Sequence, residues 1–132
     1  MRLAELSTDA VVLACAISAG IHGALVPDHF REGTGAGLGF VVATVLLAVL
    51  AIVLTRRPSP VALGAAAAVF AGLIASYALA VTTGVPVLHP EREQVDALAV
   101  FTKTVEAVGL ALALRGLRRP WLVLTLHHAK GT

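Results

Sequence analysis

The chain alternates four long apolar stretches with short segments that contain most of its charged residues and prolines. Each stretch holds about 20 mainly apolar residues, which is the length that a helix needs to cross a lipid bilayer. The pattern predicts an all-α protein, a bundle of four transmembrane helices at about 10–26, 35–54, 61–81 and 95–114. The remaining segment, 115–132, is too short to cross again, and we expect it to lie at the membrane interface.

The composition supports this interpretation and leaves room for one domain. Of 132 residues, 58% are apolar and 14% are charged, and the mean hydropathy is +0.88; these values lie outside the range of soluble globular domains. We do not expect the first stretch to be a cleaved signal peptide, because the charge of Arg2 is offset by Glu5 and Asp9. Cys15 is the only cysteine of the sequence, so no disulfide can form within the chain.

Basic residues are distributed unevenly between the two sides of the predicted bundle. Only Arg31 and Arg92 lie in the first and third linkers, whereas the other side carries Arg2, Arg56, Arg57, Arg115, Arg118, Arg119 and Lys130. Since cytoplasmic segments carry the excess of arginine and lysine, we expect both termini to be cytoplasmic. The richness in alanine, valine, leucine, glycine and arginine, with few lysines, indicates a GC-rich bacterial genome, so we expect the membrane to be a bacterial inner membrane. The basic residues form no patch of the kind that binds nucleic acid.

The fourth stretch differs from the other three because it carries the ionisable residues Asp96, Lys103 and Glu106. At 100° per residue these positions share one helix face, and the i,i+3 spacing allows Lys103 to pair with Glu106. A charge near the centre of a bilayer costs at least about 2.5–3.5 kcal/mol. The pair is therefore either a self-neutralised packing element or part of a proton or ligand site. In the second case these three residues are the candidate catalytic groups.

The first stretch carries a polar stripe at heptad-like spacing, formed by Thr8, Cys15, Ser18 and His22. We expect Ser18 and Cys15 to hydrogen-bond back to the backbone of their own helix. His22 is about one turn from the end of the helix, where it could point into a vestibule. The stripe therefore predicts a polar seam between the first helix and its neighbours.

Histidines and carboxylates are concentrated on the predicted face opposite the termini. Residues 27–33, Pro-Asp-His-Phe-Arg-Glu-Gly, are expected to form one short helical turn that begins at the proline. This turn would place His29 and Glu32 on one face, with His22 just beneath them. In the third linker, His89 would lie at the entrance of the fourth helix.

This grouping predicts a metal site, because imidazole and carboxylate groups are suitable ligands for Zn, Cu, Fe or Mn. The alternatives are an ordinary polar loop, in which Arg31 and Arg92 pair with Glu32 and Glu93, and proton-linked chemistry. In the first case we expect a metal ion or redox cofactor to be held by His22, His29, Glu32 and His89.

Residues 21–32, Ile-His-Gly-Ala-Leu-Val-Pro-Asp-His-Phe-Arg-Glu, precede a glycine-rich start of the second helix. This segment resembles small, uncharacterised four-helix integral membrane proteins of the actinobacterial type, in which a first-helix histidine precedes a Pro-acid-His-Phe-x-Glu turn. The resemblance covers the first two helices, and the remainder shares only the layout. It implies that His22, His29 and Glu32 belong to one motif, and it implies no activity.

Three functions are compatible with these patterns. The first is a binding or redox protein with an outward-facing His/carboxylate site. The second is an accessory subunit of a larger membrane complex, or a homo-oligomer, because small residues recur at every fourth position of the third stretch and would allow close helix packing. The third is an integral membrane enzyme that acts on a lipid-soluble small molecule. The small residues are Gly64, Ala68, Gly72, Ser76, Ala80 and Gly84.

Overall fold

The structure is a computed structural model that describes residues 3–85 and 91–129, with side chains in 6–85 and 91–118. Throughout these ranges the regular structure consists of four helices, which confirms the all-α prediction. The four helices are α1 (Leu3–Glu32), α2 (Thr34–Arg56), α3 (Pro60–Thr82) and α4 (Ala97–Ala129).

All four helices contain a segment long and apolar enough to cross a membrane. The outer surface of the bundle agrees with this, because many large apolar side chains are exposed on it. On α2, five such side chains lie at i,i+3 and i,i+4 intervals and are each about half exposed, as expected of a face that contacts lipid. They are Leu38, Val42, Val45, Val49 and Ile52. The prediction of four spans in a multi-pass membrane protein is therefore supported by the length and apolar composition of the helices.

Helix α1 is longer than the sequence indicated. It continues through Pro27 to Glu32, so the prediction of a separate helical turn that begins at the proline is wrong. Proline lacks the N–H that would bond to the carbonyl four residues earlier, but transmembrane helices tolerate this loss where neighbouring groups are packed around it. His22 and His29 consequently lie on one continuous helix, two turns apart.

Both ends of α4 also differ from the prediction. The helix begins at Ala97, and Asp96 caps it, with its Oδ1 accepting a hydrogen bond from the backbone N of Ala99 at 2.7 Å. At the other end α4 runs past Arg115 to Ala129, so a separate tail that starts at residue 115 is wrong. Charged residues end the apolar pattern without ending the helix, because arginine is a good helix former.

The first two connections between the helices are short, and the third, residues 83–96, is longer. Gly33 alone joins α1 to α2, and the ring of Phe30 packs so closely on Gly37 that a Cβ at this glycine would collide with it. Between α2 and α3, the hydroxyl of Ser59 accepts a hydrogen bond from the backbone N of Ala62 at 3.1 Å. After α3, Gly84 has a φ of 75°, a left-handed conformation that glycine adopts without strain.

The helices form a ring in which α1 packs against α2 and α4, and α3 packs against α4 and, less extensively, α2. We name the two ends of the bundle by the α1–α2 connection, as the Gly33 end and the opposite end. The hydrophobic core lies towards the opposite end. There the ring of Phe70 fills the space beside Gly109. The core residues are Val11, Ala14, Cys15, Ala19, Leu47, Leu50, Leu54, Ala62, Ala66, Ala67, Phe70 and Ala113.

The small residues of α3 do not create the closest contacts of the bundle. A Cβ built on Gly64 or Gly72 meets no atom within 4 Å, whereas one on Gly109 would lie 2.7 Å from Cε2 of Phe70. Close packing within the chain therefore depends on Gly109 of α4 rather than on these α3 glycines. Contact between copies of the chain through α3 stays a prediction.

Candidate functional site

A polar cluster lies midway along the bundle, where the core ends. Glu106 of α4 is fully buried, and each of its carboxylate oxygens accepts one hydrogen bond. The Ser18 hydroxyl of α1 donates to Oε1 at 2.8 Å, and Nζ of Lys103 donates to Oε2 at 2.6 Å. Glu106 lies nine residues beyond the start of α4, about 14 Å along the helix axis. The predicted Lys103–Glu106 pair is present, and Ser18 connects it to α1.

His22 is the fourth member of this cluster. Its Nδ1 lies 2.9 Å from the carbonyl oxygen of Ser18, so Nδ1 carries the proton and donates to that carbonyl. The other ring nitrogen, Nε2, faces Oε1 of Glu106 at 3.9 Å. The predicted bond from Ser18 to the backbone of its own helix is wrong, because the Ser18 hydroxyl donates to Glu106. It is His22 that bonds back to its own helix.

His29 lies two turns closer to the Gly33 end and has the same local arrangement. Its Nδ1 donates to the carbonyl oxygen of Leu25 at 3.0 Å, which leaves Nε2 as an acceptor. Nε2 faces Oε1 of Glu93 at 3.5 Å and Oε2 of Glu32 at 3.8 Å. The His29 side chain is 8% exposed, and in the described part of the chain its Nε2 has no hydrogen-bond partner.

The ring of Phe40 on α2 packs against the imidazoles of His22 and His29. Its ring stacks on His29 with the ring centroids 3.5 Å apart, and it lies 5.1 Å from the ring centroid of His22. Because the Nδ1 atom of each histidine is fixed by a backbone carbonyl, the ring planes and the directions of both Nε2 atoms are set by the helix and by Phe40. The two imidazoles are thus preorganised.

A cavity of about 450 Å³ opens at the Gly33 end, and side chains of all four helices line it. This volume is typical of sites for small molecules, and the cavity ends at Lys103 and His22. The hydroxyl of Tyr77 on α3 is a second buried polar atom for which the described residues supply no hydrogen-bond partner. The carboxylates that line the cavity are Asp28, Glu32, Glu93 and Asp96.

The structure brings together part of the predicted site. Of the four expected metal ligands, His22, His29 and Glu32 line the cavity, and His89 lies outside the described residues. The imidazoles direct their Nε2 atoms to different carboxylates, and no group of three or more His, Cys, Asp or Glu within 3–85 and 91–129 is arranged to hold a metal ion. The metal and redox-cofactor expectation stays a prediction.

The three candidate catalytic residues occupy different positions. Asp96 and Lys103 line the cavity, whereas Glu106 lies behind Lys103 and is not part of the lining. Glu106 is therefore a positioning residue that holds the ammonium group of Lys103, and it does not itself face the cavity. The i,i+3 spacing within α4 was sufficient to predict the pairing of Lys103 with Glu106.

Three residues that line the cavity were not predicted as site residues from the sequence, namely Phe40, Tyr77 and Glu93. In the polar-loop alternative Glu93 was expected to pair with Arg92, and Glu32 with Arg31, whereas in the structure Arg31 pairs with Asp28. A signal for Tyr77 was available, because it is the only tyrosine of the chain and lies within an apolar span. A buried tyrosine hydroxyl normally requires a partner.

The comparisons with known proteins add no family to this description. No family model matches the chain, and neither a curated protein nor a solved structure is similar to it. The resemblance of residues 21–32 to actinobacterial four-helix membrane proteins therefore stays a prediction, and the interpretation of the site rests on its geometry.

Proposed function

We propose that this chain is a multi-pass protein of the bacterial cytoplasmic membrane that binds a small polar molecule in an outward-facing cavity. Both termini lie in the cytoplasm in this proposal, because the basic residues concentrate on their side of the bundle. The Gly33 end, with its histidines and carboxylates, then faces the outside. In this proposal the lipid bilayer surrounds the four helices and contacts their exposed apolar side chains.

The observation that carries the proposal is a pair of unsatisfied polar atoms in one cavity. Nε2 of His29 and the hydroxyl oxygen of Tyr77 are buried, and neither has a hydrogen-bond partner among the described residues. Most buried polar atoms are hydrogen-bonded, and an exception indicates a bound water, ion or ligand. Both residues line the same cavity, so one polar molecule could satisfy both.

The distribution of packing favours binding over passage through the bundle. Towards the opposite end the four helices close around apolar side chains, including the fully buried Leu47 and Phe70. The cavity therefore ends at the level of the Lys103–Glu106 pair. In this conformation the site is open at one end and closed at the other, which favours a binding site over an open channel.

A metal ion is the second candidate for this site, and one observation favours it. A metal-bound histidine characteristically donates its second nitrogen to a carbonyl or carboxylate, as Nδ1 of His29 does to the carbonyl oxygen of Leu25. Elemental analysis of the purified protein and of the His29→Ala variant tests this candidate. Equal metal content in both proteins would eliminate it.

Filling the cavity tests the proposed function directly. Gly39 lines the cavity and a Cβ there meets no atom within 4 Å, so Gly39→Leu should occupy the space without disturbing the helices. Gly72→Leu is the matched control, because Gly72 is equally unobstructed but lies outside the cavity lining. We expect a fragment library, screened by ligand-observed NMR against the protein in lipid nanodiscs, to give hits that bind wild type and Gly72→Leu. These hits should not bind Gly39→Leu.

The absence of such hits, or hits that bind all three proteins equally, would contradict the proposal. Circular dichroism and size-exclusion chromatography of the two variants show whether the leucine has altered the fold. A Gly39→Leu protein that is folded and still binds would place the ligand elsewhere.

A further inference from the structure

A groove between α3 and α4 runs along the lipid-facing side of the bundle, next to the cavity. Apart from Lys103, Thr104 and the hydroxyl of Tyr77, its lining is apolar and includes Ile74 of α3 and Val108 of α4. In a membrane protein such a groove is in contact with acyl chains. It therefore offers apolar surface that is continuous with the bilayer.

Two residues line both the groove and the cavity, namely Tyr77 and Lys103. The Nζ atom of Lys103 lies 5.4 Å from the centroid of the Tyr77 ring. These side chains thus form the boundary between the polar cavity and the lipid-facing groove. A molecule with a polar head and an apolar chain can occupy both spaces if its chain passes this boundary.

The lining of the cavity is rich in hydrogen-bond acceptors near its opening. Nε2 of His29 is an acceptor because Nδ1 donates to Leu25, and Glu93 lies 3.5 Å from this atom. Carboxylates accept and do not donate when ionised. The head group that matches such a lining carries donors only, and an ammonium group has this property.

The charges around the cavity favour the same head group. Lys103 is the only cation among the described residues of the lining, and Glu106 balances its charge at 2.6 Å. The charge of Asp28 is likewise balanced by Arg31. Among the described residues of the lining, the carboxylates of Glu93 and Asp96 then leave an excess of negative charge, which attracts cations and repels anions.

We propose that the ligand is an alkylammonium-type amphiphile, whose cationic head donates to Nε2 of His29, to Glu93 and to the hydroxyl oxygen of Tyr77, and whose alkyl chain passes between Tyr77 and Lys103 into the α3–α4 groove. This inference rests on the proposed function and names the class of its ligand. The head reaches its site from the outside or laterally from the bilayer, and the chain contributes binding energy through the apolar groove.

Three probes of equal chain length test the charge of the head group, namely octylammonium, 1-octanol and octanoate, titrated calorimetrically against the protein in nanodiscs. The same titrations with Gly39→Leu, whose cavity is filled, measure the heat that arises from partition of the probes into lipid. We expect octylammonium to bind about tenfold more tightly than octanol, since a charge-assisted hydrogen bond is about twice as strong as a neutral one, and octanoate not to bind. Octanol that binds as tightly as octylammonium would overturn the inference and leave the proposed function intact. Octylammonium that does not bind would overturn it as well.

Two pairs of variants test the two halves of the ligand. Glu93→Gln should weaken the binding of octylammonium about tenfold, because a charged hydrogen-bond acceptor is lost. Glu91→Gln is the control and should not change this affinity, because Glu91 is exposed and lies outside the lining. Ala107→Phe fills the groove, so in this variant octylammonium should bind no more tightly than methylammonium. Equal affinities of Glu93→Gln and wild type, or an unchanged chain-length advantage in Ala107→Phe, would contradict the proposed binding mode.

Discussion

Ser18 of α1 donates a 2.8 Å hydrogen bond to Oε1 of Glu106 on α4, and both side chains are fully buried. This bond joins α1 to α4 through two residues that are 88 positions apart in the sequence. Because Lys103 occupies the other oxygen of the same carboxylate, one acidic group connects α1, the interior of the bundle and the inner end of the cavity. The stability of the bundle and the composition of the site therefore depend on the same residue.

Glu106→Leu should destabilise the bundle by about 3 kcal/mol, because removing one partner of a buried ion pair leaves the other charge uncompensated. The double variant Glu106→Leu/Lys103→Met should recover most of this loss, since an apolar pair can replace a buried ion pair. Reversible unfolding in mixed SDS micelles measures the free energies of unfolding. Asp28→Asn is the control, and the exposed pair Arg31–Asp28 should contribute less than about 1 kcal/mol. A double variant no more stable than Glu106→Leu would contradict this account.

Ser18→Ala should lower the free energy of unfolding by about 1.5–3 kcal/mol, the range for hydrogen bonds to charged groups. The matched control is Thr55→Val. The Thr55 hydroxyl donates to the carbonyl oxygen of Ala51 in its own helix and is exposed, so its removal should change stability by less than about 0.5 kcal/mol. The same unfolding assay applies to both. Equal losses in the two variants would show that the bond between Ser18 and Glu106 has no special role.

Gly109→Ala should be destabilising, because the added Cβ would lie 2.7 Å from Cε2 of Phe70 and 3.0 Å from the Cβ of Ala14. Phe70 is fully buried and cannot move aside freely, so we expect a loss of about 1–3 kcal/mol from overpacking. Gly72→Ala adds the same methyl group in open space and should leave stability unchanged. Adding Phe70→Leu to Gly109→Ala should restore part of the loss. Two glycine variants of equal stability would contradict the packing described here.

Cysteine labelling tests the orientation of the cavity. Ser76 lines the cavity, whereas its neighbour Ala75 is exposed on α3 outside the lining and therefore faces lipid. In intact cells, Ser76→Cys should react with a membrane-impermeant thiol reagent, and Ala75→Cys should not, because a thiolate does not form in hydrocarbon. Wild type is the unlabelled reference, since its free Cys15 is fully buried. Labelling of Ser76→Cys only after the cells are permeabilised would reverse the proposed orientation.

The sequence was sufficient to predict the features that depend on one helix at a time. The number of spans followed from the apolar stretches, and the Lys103–Glu106 pair followed from its i,i+3 spacing. The ends of α1 and α4 were wrong because proline and arginine interrupt an apolar pattern without ending a helix, as Pro27 and Arg115 show.

Contacts between helices could not be predicted in the same way. The partner of Ser18 depends on the rotation and depth of α1 relative to α4, which no spacing within α1 encodes. The approach of Glu93 to His29 depends on a backbone hydrogen bond from the N of Glu93 to the carbonyl oxygen of Ala80, 2.9 Å long, that fixes the third connection against α3. Such a bond has no side-chain signature in the sequence.

The candidate site is divided between two helical hairpins. The first, α1 and α2, supplies His22, His29 and Phe40, whereas α3, α4 and their connection supply Tyr77, Glu93 and Lys103. Neither half of the polypeptide holds a complete set of contacts, so any molecule that bridges them stabilises the assembled pair over the separated hairpins by mass action. Occupancy and assembly are thus thermodynamically linked, and two polypeptides cut between α2 and α3 would associate more tightly when the ligand is present.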